Sequence, residues 1–330
     1  MIELFHPETN ETAWAGVADT LASKWVGQGP KVSKFEAAFQ AKYHPFRHCV
    51  AVSSCTAALH LAYILAGVRA GSRVCGPIFT CTATFMPLVH MGARLAFADI
   101  DPNNMCISPH SAYSFGKLDA IVAVDYGGCL ADIKTLREQF PTTPIIEDAA
   151  QILGVPGVGD YSDYICYSHQ AIKHLHTCDG GTLIVKTDEE AKLARKLRWF
   201  GIDRDAKLRG NWDNNISQAG FKYQMTDVNA AIGLANMLDV DERVEYRKML
   251  LQRYIRGLKG TKVRVVGQDE ALAGKHSAWI CTIVADSCKA LQKRLEEKGI
   301  ESSPTHYRCD RYKVFEGAEK NGTFGMDTVD

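Results

Sequence analysis

Between Arg47 and Val185 the chain alternates short β-branched apolar runs with stretches whose apolar residues recur at every third or fourth position. Few architectures accept that pattern. Strands buried on both faces read as continuous apolar runs, and the crossover helices of a parallel sheet are what covers them. The expected strands are HCVAVSS, SRVCGPIF, ARLAFADI, DAIVAVDY, PIIEDAA, YICYSH and GTLIVK, with crossover helices over 56–65 and 133–139. After Lys186 the pattern turns helical, over 189–200 and a long charged stretch at 239–258 that links two lobes. Beyond Lys262 a strand (SAWICTIVAD), a helix over 287–298 and a strand over 300–306 are expected to build a small α/β lobe. The predicted fold class is α/β, a mostly parallel sheet flanked by helices with a smaller C-terminal α/β lobe. Residues 1–240 form the expected large domain and 241–330 the smaller one.

Lysine plus arginine and aspartate plus glutamate both number 38, so no global basic field is available to hold nucleic acid. The apolar runs fall far short of the ~20 residues a spanning helix needs. The start, MIELFHPETN, has no basic region followed by an apolar run, so it does not read as a secretory signal, and a cytoplasmic protein is expected. Eleven cysteines are scattered from Cys49 to Cys309 with no C-x-x-C pair, and free, mostly buried thiols are the expected state. His174, His176 and Cys178 alternate as along one face of an extended segment, yet a fourth ligand is missing nearby, and no metal is expected.

Ligands of open parallel sheets bind beyond the carboxyl ends of the strands, so the polar residues there are the candidates. Ser54-Cys55-Thr56 opens a helix after the first run, where free N–H groups meet an anion or, more simply, a hydroxyl caps the helix. Asp148 ends PIIED, with Gln151 three residues on. A carboxylate in that place either caps a helix or pairs with the protonated nitrogen of a pyridine cofactor. Lys173 lies among small residues and histidines before Gly180-Gly181. It reads either as a surface lysine beside a turn or as a desolvated amine able to condense with an aldehyde.

Four segments in order, V-S-S-C-T-A-A-L-H, I-I-E-D-A-A-Q, Y-S-H-Q-A-I-K-H-L-H-T-C-D-G-G and G-F-K-Y-Q-M-T-D-V-N-A-A-I-G, resemble the DegT/StrS group of nucleotide-sugar aminotransferases dependent on pyridoxal 5'-phosphate (PLP). F-T-C-T-A-T and G-I-E-S-S-P-T-H-Y-R add to the match, which runs from near Trp25 to the end of the chain. The resemblance implies the PLP transferase fold type I, PLP as cofactor, and a homodimer whose two active sites draw residues from both chains. It makes Lys173 the Schiff-base lysine, Asp148 the partner of the ring nitrogen and Gln151 a neighbour of the ring. Cys55, Thr56 and Ser168 fall at the phosphate cradle. Lys222 takes the place of an asparagine that reaches the phosphate of the neighbouring subunit, a duty a lysine performs as a point charge. Phe79 and Cys81 fall beside the ring, Gln28, His306 and Tyr307 near the sugar, and Arg308 or Arg311 within reach of a diphosphate.

Several positions depart from the family pattern: Cys55 replaces a glycine, Cys81 an aromatic residue, and Cys178-Asp179 a Gly-Glu pair, while the family continues past the position of Asp330 with another strand and helix. The implied reaction runs in two halves, an amino acid (L-glutamate by resemblance) aminating the cofactor and the cofactor aminating a keto-sugar, with Lys173 moving the proton. Two alternatives stand beside it. A PLP-dependent sugar dehydratase of the same fold carries histidine at the lysine position, and a non-catalytic regulatory homologue would have lost one of these groups. The run G-V-P-G-V-G at 154–159 lacks the glycine spacing of a dinucleotide fingerprint.

Overall fold

The structure is a computed structural model and describes residues 1–211 and 216–321. In chain order its strands are β1 (His48–Val52), β2 (Arg73–Pro77), β3 (Arg94–Ala98), β4 (Ala120–Val124), β5 (Ile145–Asp148), β6 (Tyr164–Ser168), β7 (Gly181–Val185), β8 (Arg264–Val265), β9 (Ile283–Val284) and β10 (Glu319–Lys320). Among the described residues one sheet has the order β1-β7-β6-β5-β4-β2-β3-β10, and β8 pairs with β9 in a second. Only β7 is reversed in the large sheet: it is antiparallel to both β1 and β6, so β1 runs with the parallel set. All the strands expected between Arg47 and Val185 are thus present, and every one of them except β7 ends at the same edge of the sheet.

The two-residue alternation of strand side chains splits the core into two layers. Val50 and Val52 of β1, Cys166 of β6 and Leu183 of β7 face one cluster, packed under the helix Cys55–Leu65. Cys49, Ala51, Ile165 and Ile184 face the other, where the helix Pro30–Tyr43 inserts Val32, Phe35 and Phe39. At the β1 edge the backbone is closed by side chains. Ala51 N–H donates to Glu36 Oε1 at 2.9 Å and its carbonyl accepts from Arg198 at 2.6 Å, while Arg198 and Glu36 pair at 2.5 Å.

The segment expected to form a small lobe departs from expectation in two places, and its β10 joins the large sheet beside β3. Of SAWICTIVAD only Ile283–Val284 pairs as strand. Ala278 adopts a left-handed φ of 56°, and Ser277 N–H donates to the Gly128 carbonyl, so the segment turns and docks on the large sheet instead of extending. Gly128 permits this approach, because a Cβ there would lie 2.7 Å from Ser277 Oγ. The 300–306 stretch forms no strand. Its one ladder contact is the bridge from Ile300 to Ile2, so its polar run lies along the surface. The expected helices over 189–200 and 239–258 are present as Asp188–Leu197 and Val240–Leu258. No helix among the described residues is long and apolar enough to cross a membrane.

Beneath the carboxyl edge, Asp125 and Glu147 are buried against one another. Glu147 Oε2 accepts from Ser162 Oγ at 2.5 Å and Gly159 N–H at 2.9 Å, and Asp125 Oδ1 from Ala131 N–H at 2.9 Å. Asp125 Oδ2 and Glu147 Oε1 have no donor. Burial raises both carboxyls, Asp125 being pushed further by Glu147, so the pair retains a proton that the unfolded chain releases. A raised carboxyl stabilises the fold at acid pH and loses that contribution as pH climbs through its folded value. Asp125→Asn offers Glu147 a donor in the same volume. It is expected to raise the melting temperature at pH 8, by about 1–3 kcal/mol of stability, and to do much less at pH 5; equal gains at both pH values would contradict the shared proton.

Candidate functional site

Asp148, 3% exposed, ends β5 at the edge where β1 and β6 also end. Thr84 Oγ1 donates to its Oδ2 at 2.8 Å, Ala150 N–H to Oδ1 at 3.2 Å, and the Cys55 thiol faces Oδ1 at 3.9 Å. Burial raises the carboxyl, and the hydroxyl, the N–H, the amine of Lys173 and the thiol all oppose that rise. The hydroxyl, the N–H, the amine and the thiol thus favour the ionised form of a carboxyl that burial alone would drive neutral.

Lys173 faces the same space. It belongs to the connection 169–180, which returns from β6 to β7 and is closed by Thr177 N–H on the His169 carbonyl and His169 N–H on the Gly180 carbonyl, both at 2.8 Å. His169 contacts the Leu175 carbonyl at 3.0 Å and Thr182 Oγ1 at 2.7 Å, and burial drops its pKa to about 4. It thus stays neutral and pins the loop from within. From outside, Asn229 Nδ2 donates to the carbonyls of Thr177 and Asp179. Lys173 Nζ lies 3.6 Å from the Trp279 ring centroid, and the indole is fixed by its Nε1–H on the Ile172 carbonyl at 3.1 Å. Burial pulls the amine down to about 8 against the potentials of Cys55, Asp148 and Cys81. The Cys55 thiol is itself pushed well up by burial, so at neutral pH the opposing charge is Asp148.

A narrow cleft beside Lys173 is lined by Ala150, Tyr167, Ser168 and Leu175 among others. Across β7 from Ser168, Gly181 also pairs with Val52 at the end of β1. A Cβ on Gly181 would run into the Ser54 carbonyl carbon and the Cys55 nitrogen, so glycine is what lets the helix N-terminus settle on the sheet. Ser54 Oγ accepts from Ala57 N–H at 3.1 Å and caps that helix, leaving the first N–H groups, at Cys55 and Thr56, without carbonyls behind them. Cys55 has no positive φ, so its replacement of a glycine costs no backbone strain; its thiol turns inward to the Cys166 carbonyl at 3.5 Å and to Asp148. Helix N-terminus, Ser168, Asp148 and Lys173 therefore converge on one edge.

Phe79 and His306 form the adjoining wall. Phe79 packs on Tyr126 at 5.3 Å and His306 on Tyr126 at 5.9 Å. Burial lowers His306 to about 4, Lys173 assisting, and its Nε2 has no partner. Gln151 Oε1 accepts from Gly127 N–H at 2.7 Å, which fixes the amide. Cys81 is exposed at the start of the turn Thr82–Thr84. Tyr307 is exposed, Arg308 forks onto Asp310 at 3.0–3.1 Å, and Arg311 is exposed on the next turn.

Two expected site residues lie elsewhere, together. Lys222 is exposed with Nζ 3.7 Å from the Trp199 ring centroid. Gln28 shares with Trp199 an open cleft whose other walls include Arg195, Arg198 and Asp203. The loop bearing Gln28 is held by Asp227, which accepts from the N–H groups of Gly29, Lys31 and Val32 at 2.8–3.0 Å. Arg195 and Arg198 are spent on Glu36, so this cleft holds less unpaired charge than its composition implies. His174, His176 and Cys178 point apart: His174 meets the Ser277 carbonyl, His176 the Glu8 carbonyl, and Cys178 is exposed. No three metal-ligating side chains gather among the described residues.

Sequence reasoning missed Thr84 and Trp279. Thr84 closes the F-T-C-T-A-T segment, a usable signal, whereas Trp279 read as one more apolar position of a strand.

The family model for the DegT/DnrJ/EryC1/StrS aminotransferase family matches residues 7–325. The chain is 32% identical over 295 residues to the spore coat polysaccharide biosynthesis protein SpsC of Bacillus subtilis, covering 85% of this chain and 75% of that protein. Among solved structures it is similar to the sugar aminotransferase CalS13 of Micromonospora echinospora, with a TM-score of 0.91 at 27% identity over 100% of this chain and 92% of that one. It also shares its fold with Spr1654 of Streptococcus pneumoniae, solved in a PLP form, with a TM-score of 0.87 at 23% identity over 96% of this chain and 87% of that one.

A lowered amine is nucleophilic at lower pH than a surface lysine. In the PLP-free protein, reductive methylation of Lys173 followed by mass spectrometry should show a half-maximal rate near pH 8, against about 10.4 for exposed lysines. Co-titration with the bulk lysines would refute the desolvated amine.

Proposed function

Because the chain belongs to the DegT/DnrJ/EryC1/StrS aminotransferase family, we propose that it moves an amino group from an amino acid, L-glutamate, to a nucleotide-linked keto-sugar, with PLP held at Lys173. The observation that carries this is the placement, on one strand-end edge, of a half-buried amine lowered to about 8 within the electrostatic reach of a buried carboxyl. The residues fit the cofactor. The helix N-terminus at Cys55 and Thr56, with the Ser168 hydroxyl, suits a phosphate dianion. Asp148 suits a protonated ring nitrogen, and the hydrogen-bonded Gln151 and the wall of Phe79 suit a flat ring. Cys81, small and exposed, leaves that side of the site open.

Bound PLP supplies the aldehyde that takes up the amino group and the ring that accepts an electron pair. The chain's own groups do the rest. Lys173 Nζ carries a proton to and from the reacting carbon, a task helped by a pKa near the working pH. Asp148, fixed by Thr84 and Ala150, keeps its charge on the ring nitrogen. His306, neutral with an open Nε2, offers a hydrogen bond to a sugar hydroxyl, and Tyr307 stands at the same rim. Arg308 and Arg311 lie further along that rim, within the reading that gives the nucleotide diphosphate to this side. The carbonyl substrate must give up water to enter, which the Trp279 and Phe79 walls favour.

The grouping of Gln28 and Lys222 around Trp199, apart from the Lys173 cleft, supports a homodimer in which each copy lends that patch to the other's site. Lys222 then meets the phosphate as a point charge. A lysine at position 173 favours amino transfer over sugar dehydration, since returning the amine requires it.

The test is direct. Incubation with PLP should give a visible absorption band, borohydride should bleach it, and the label should map to Lys173. Lys173→Ala should lower glutamate-dependent amination of a nucleotide-linked keto-sugar by about a hundredfold to ten-thousandfold. A protein that stays colourless, or a label on any other lysine, would overturn the reading.

A further inference from the structure

Thr84 carries a hydroxyl with one proton and several claims on it. That proton goes to Asp148 Oδ2 at 2.8 Å, inside the protein, where an ionised carboxylate accepts only. Thr80 Oγ1 lies 3.2 Å from Thr84 Oγ1. With the Thr84 proton committed, Thr80 must be the donor there, so a chain of two hydroxyls, each 1% exposed, runs into the carboxylate. The backbone at Thr84 is tied as well: Tyr63, fully buried, donates its phenol to the Thr84 carbonyl at 2.7 Å.

The hydroxyl has no competing structural duty. Thr84 closes the turn Thr82–Thr84, and the helix that follows, Met86–His90, takes Phe85 as its N-cap with no side-chain cap bond. Asp148 Oδ1 already has the Ala150 N–H and the Cys55 thiol. Oδ2 has the Thr84 hydroxyl, and a hydrogen bond to a buried charge is worth more than one between neutral groups.

We infer that Thr84 is a positioning residue for the cofactor, its hydroxyl orienting Asp148 and holding it ionised so that the carboxylate meets the ring nitrogen. The inference rests on the reading of Asp148 as the partner of that nitrogen. Without the donor, Oδ2 loses its hydrogen bond while it stays buried, and the carboxyl is driven towards its neutral form against what Ala150, Lys173 and Cys55 still supply. A neutral carboxyl no longer pairs with a ring cation, so both the grip on PLP and the protonation of the ring weaken.

The experiment compares wild type, Thr84→Val and Thr84→Ser. Valine keeps the branched shape and removes the hydroxyl; serine keeps the hydroxyl. Three quantities are measured: thermal unfolding of the PLP-free protein, the Kd for PLP by absorbance titration, and the pH dependence of the visible band of the bound cofactor. Thr84→Val should weaken PLP binding about tenfold or more and move the acid-side midpoint of the band up by about one pH unit. Thr84→Ser should return both to within about twofold of wild type, since the lost methyl is not part of the hydrogen bond. A valine variant with wild-type Kd and midpoint overturns the inference, as does a serine variant that fails alongside valine, which would assign the role to packing. If Thr84→Val does not fold, Thr84→Ala is carried through the same titrations: weakened binding with a raised midpoint supports the inference, and wild-type values overturn it. Wild-type protein that binds no PLP removes the parent reading of Lys173 and Asp148, and this inference with it; wild type that binds PLP with Thr84→Val unaltered removes this inference alone.

Discussion

The negative charge of Asp148 is kept where water is not. A carboxylate taken out of solvent must find donors for its oxygens or pick up a proton, and here a hydroxyl, a backbone N–H and a thiol converge on it from three separate elements. That convergence requires β5 to stop where it does, the turn Thr82–Thr84 to fold back against it, and the helix after β1 to begin beside it. Lys173 answers from the opposite wall. The two groups restrain each other, because the carboxylate opposes the burial that lowers the amine and the amine opposes the burial that raises the carboxyl.

Rigidity around this pair comes from groups that have surrendered their charge. His169, lowered to about 4, is neutral at physiological pH and spends one ring nitrogen on the loop that carries Lys173 and the other on Thr182 of β7. His174 is likewise buried and neutral, committed to the Ser277 carbonyl, which ties the lysine loop to the docked segment that brings Trp279 across. Histidines so placed look like metal ligands or acid–base groups in a string of letters. In three dimensions they are fasteners.

What could be read from the letters, and what could not, follows from the range of the interactions involved. The strands were legible because a sheet covered on both faces writes its period locally, as in the fully buried AIVAV of β4 and GTLIV of β7. Asp148 and the Cys55 helix start were legible as strand-end residues, Lys173 stood out by its setting between histidines and a glycine pair, and Ser168 came from the resemblance alone. Trp279 was not, since its place over Lys173 depends on a left-handed alanine one residue earlier, and an alanine announces no such turn. The same turn is why the expected strand around it shrank to Ile283–Val284. Gln28 and Lys222 were singled out by resemblance alone; that both lie beside Trp199 depends on segments nearly two hundred residues apart, which no local pattern records.

The closure of β1 has a consequence for how copies of this chain can meet. A sheet normally offers its outermost strand to any passing backbone. Here the amide and carbonyl of Ala51 are already taken by Glu36 and Arg198, and those of Cys49 by Gln40 and Arg195. Among the described residues the opposite border is the two-residue β10, flanked by the charges of Arg73 and Arg94 on Glu319. Growth by templated ribbon addition finds little purchase on the β1 side, so association there is steered to side-chain surfaces, where shape and charge can select a mate.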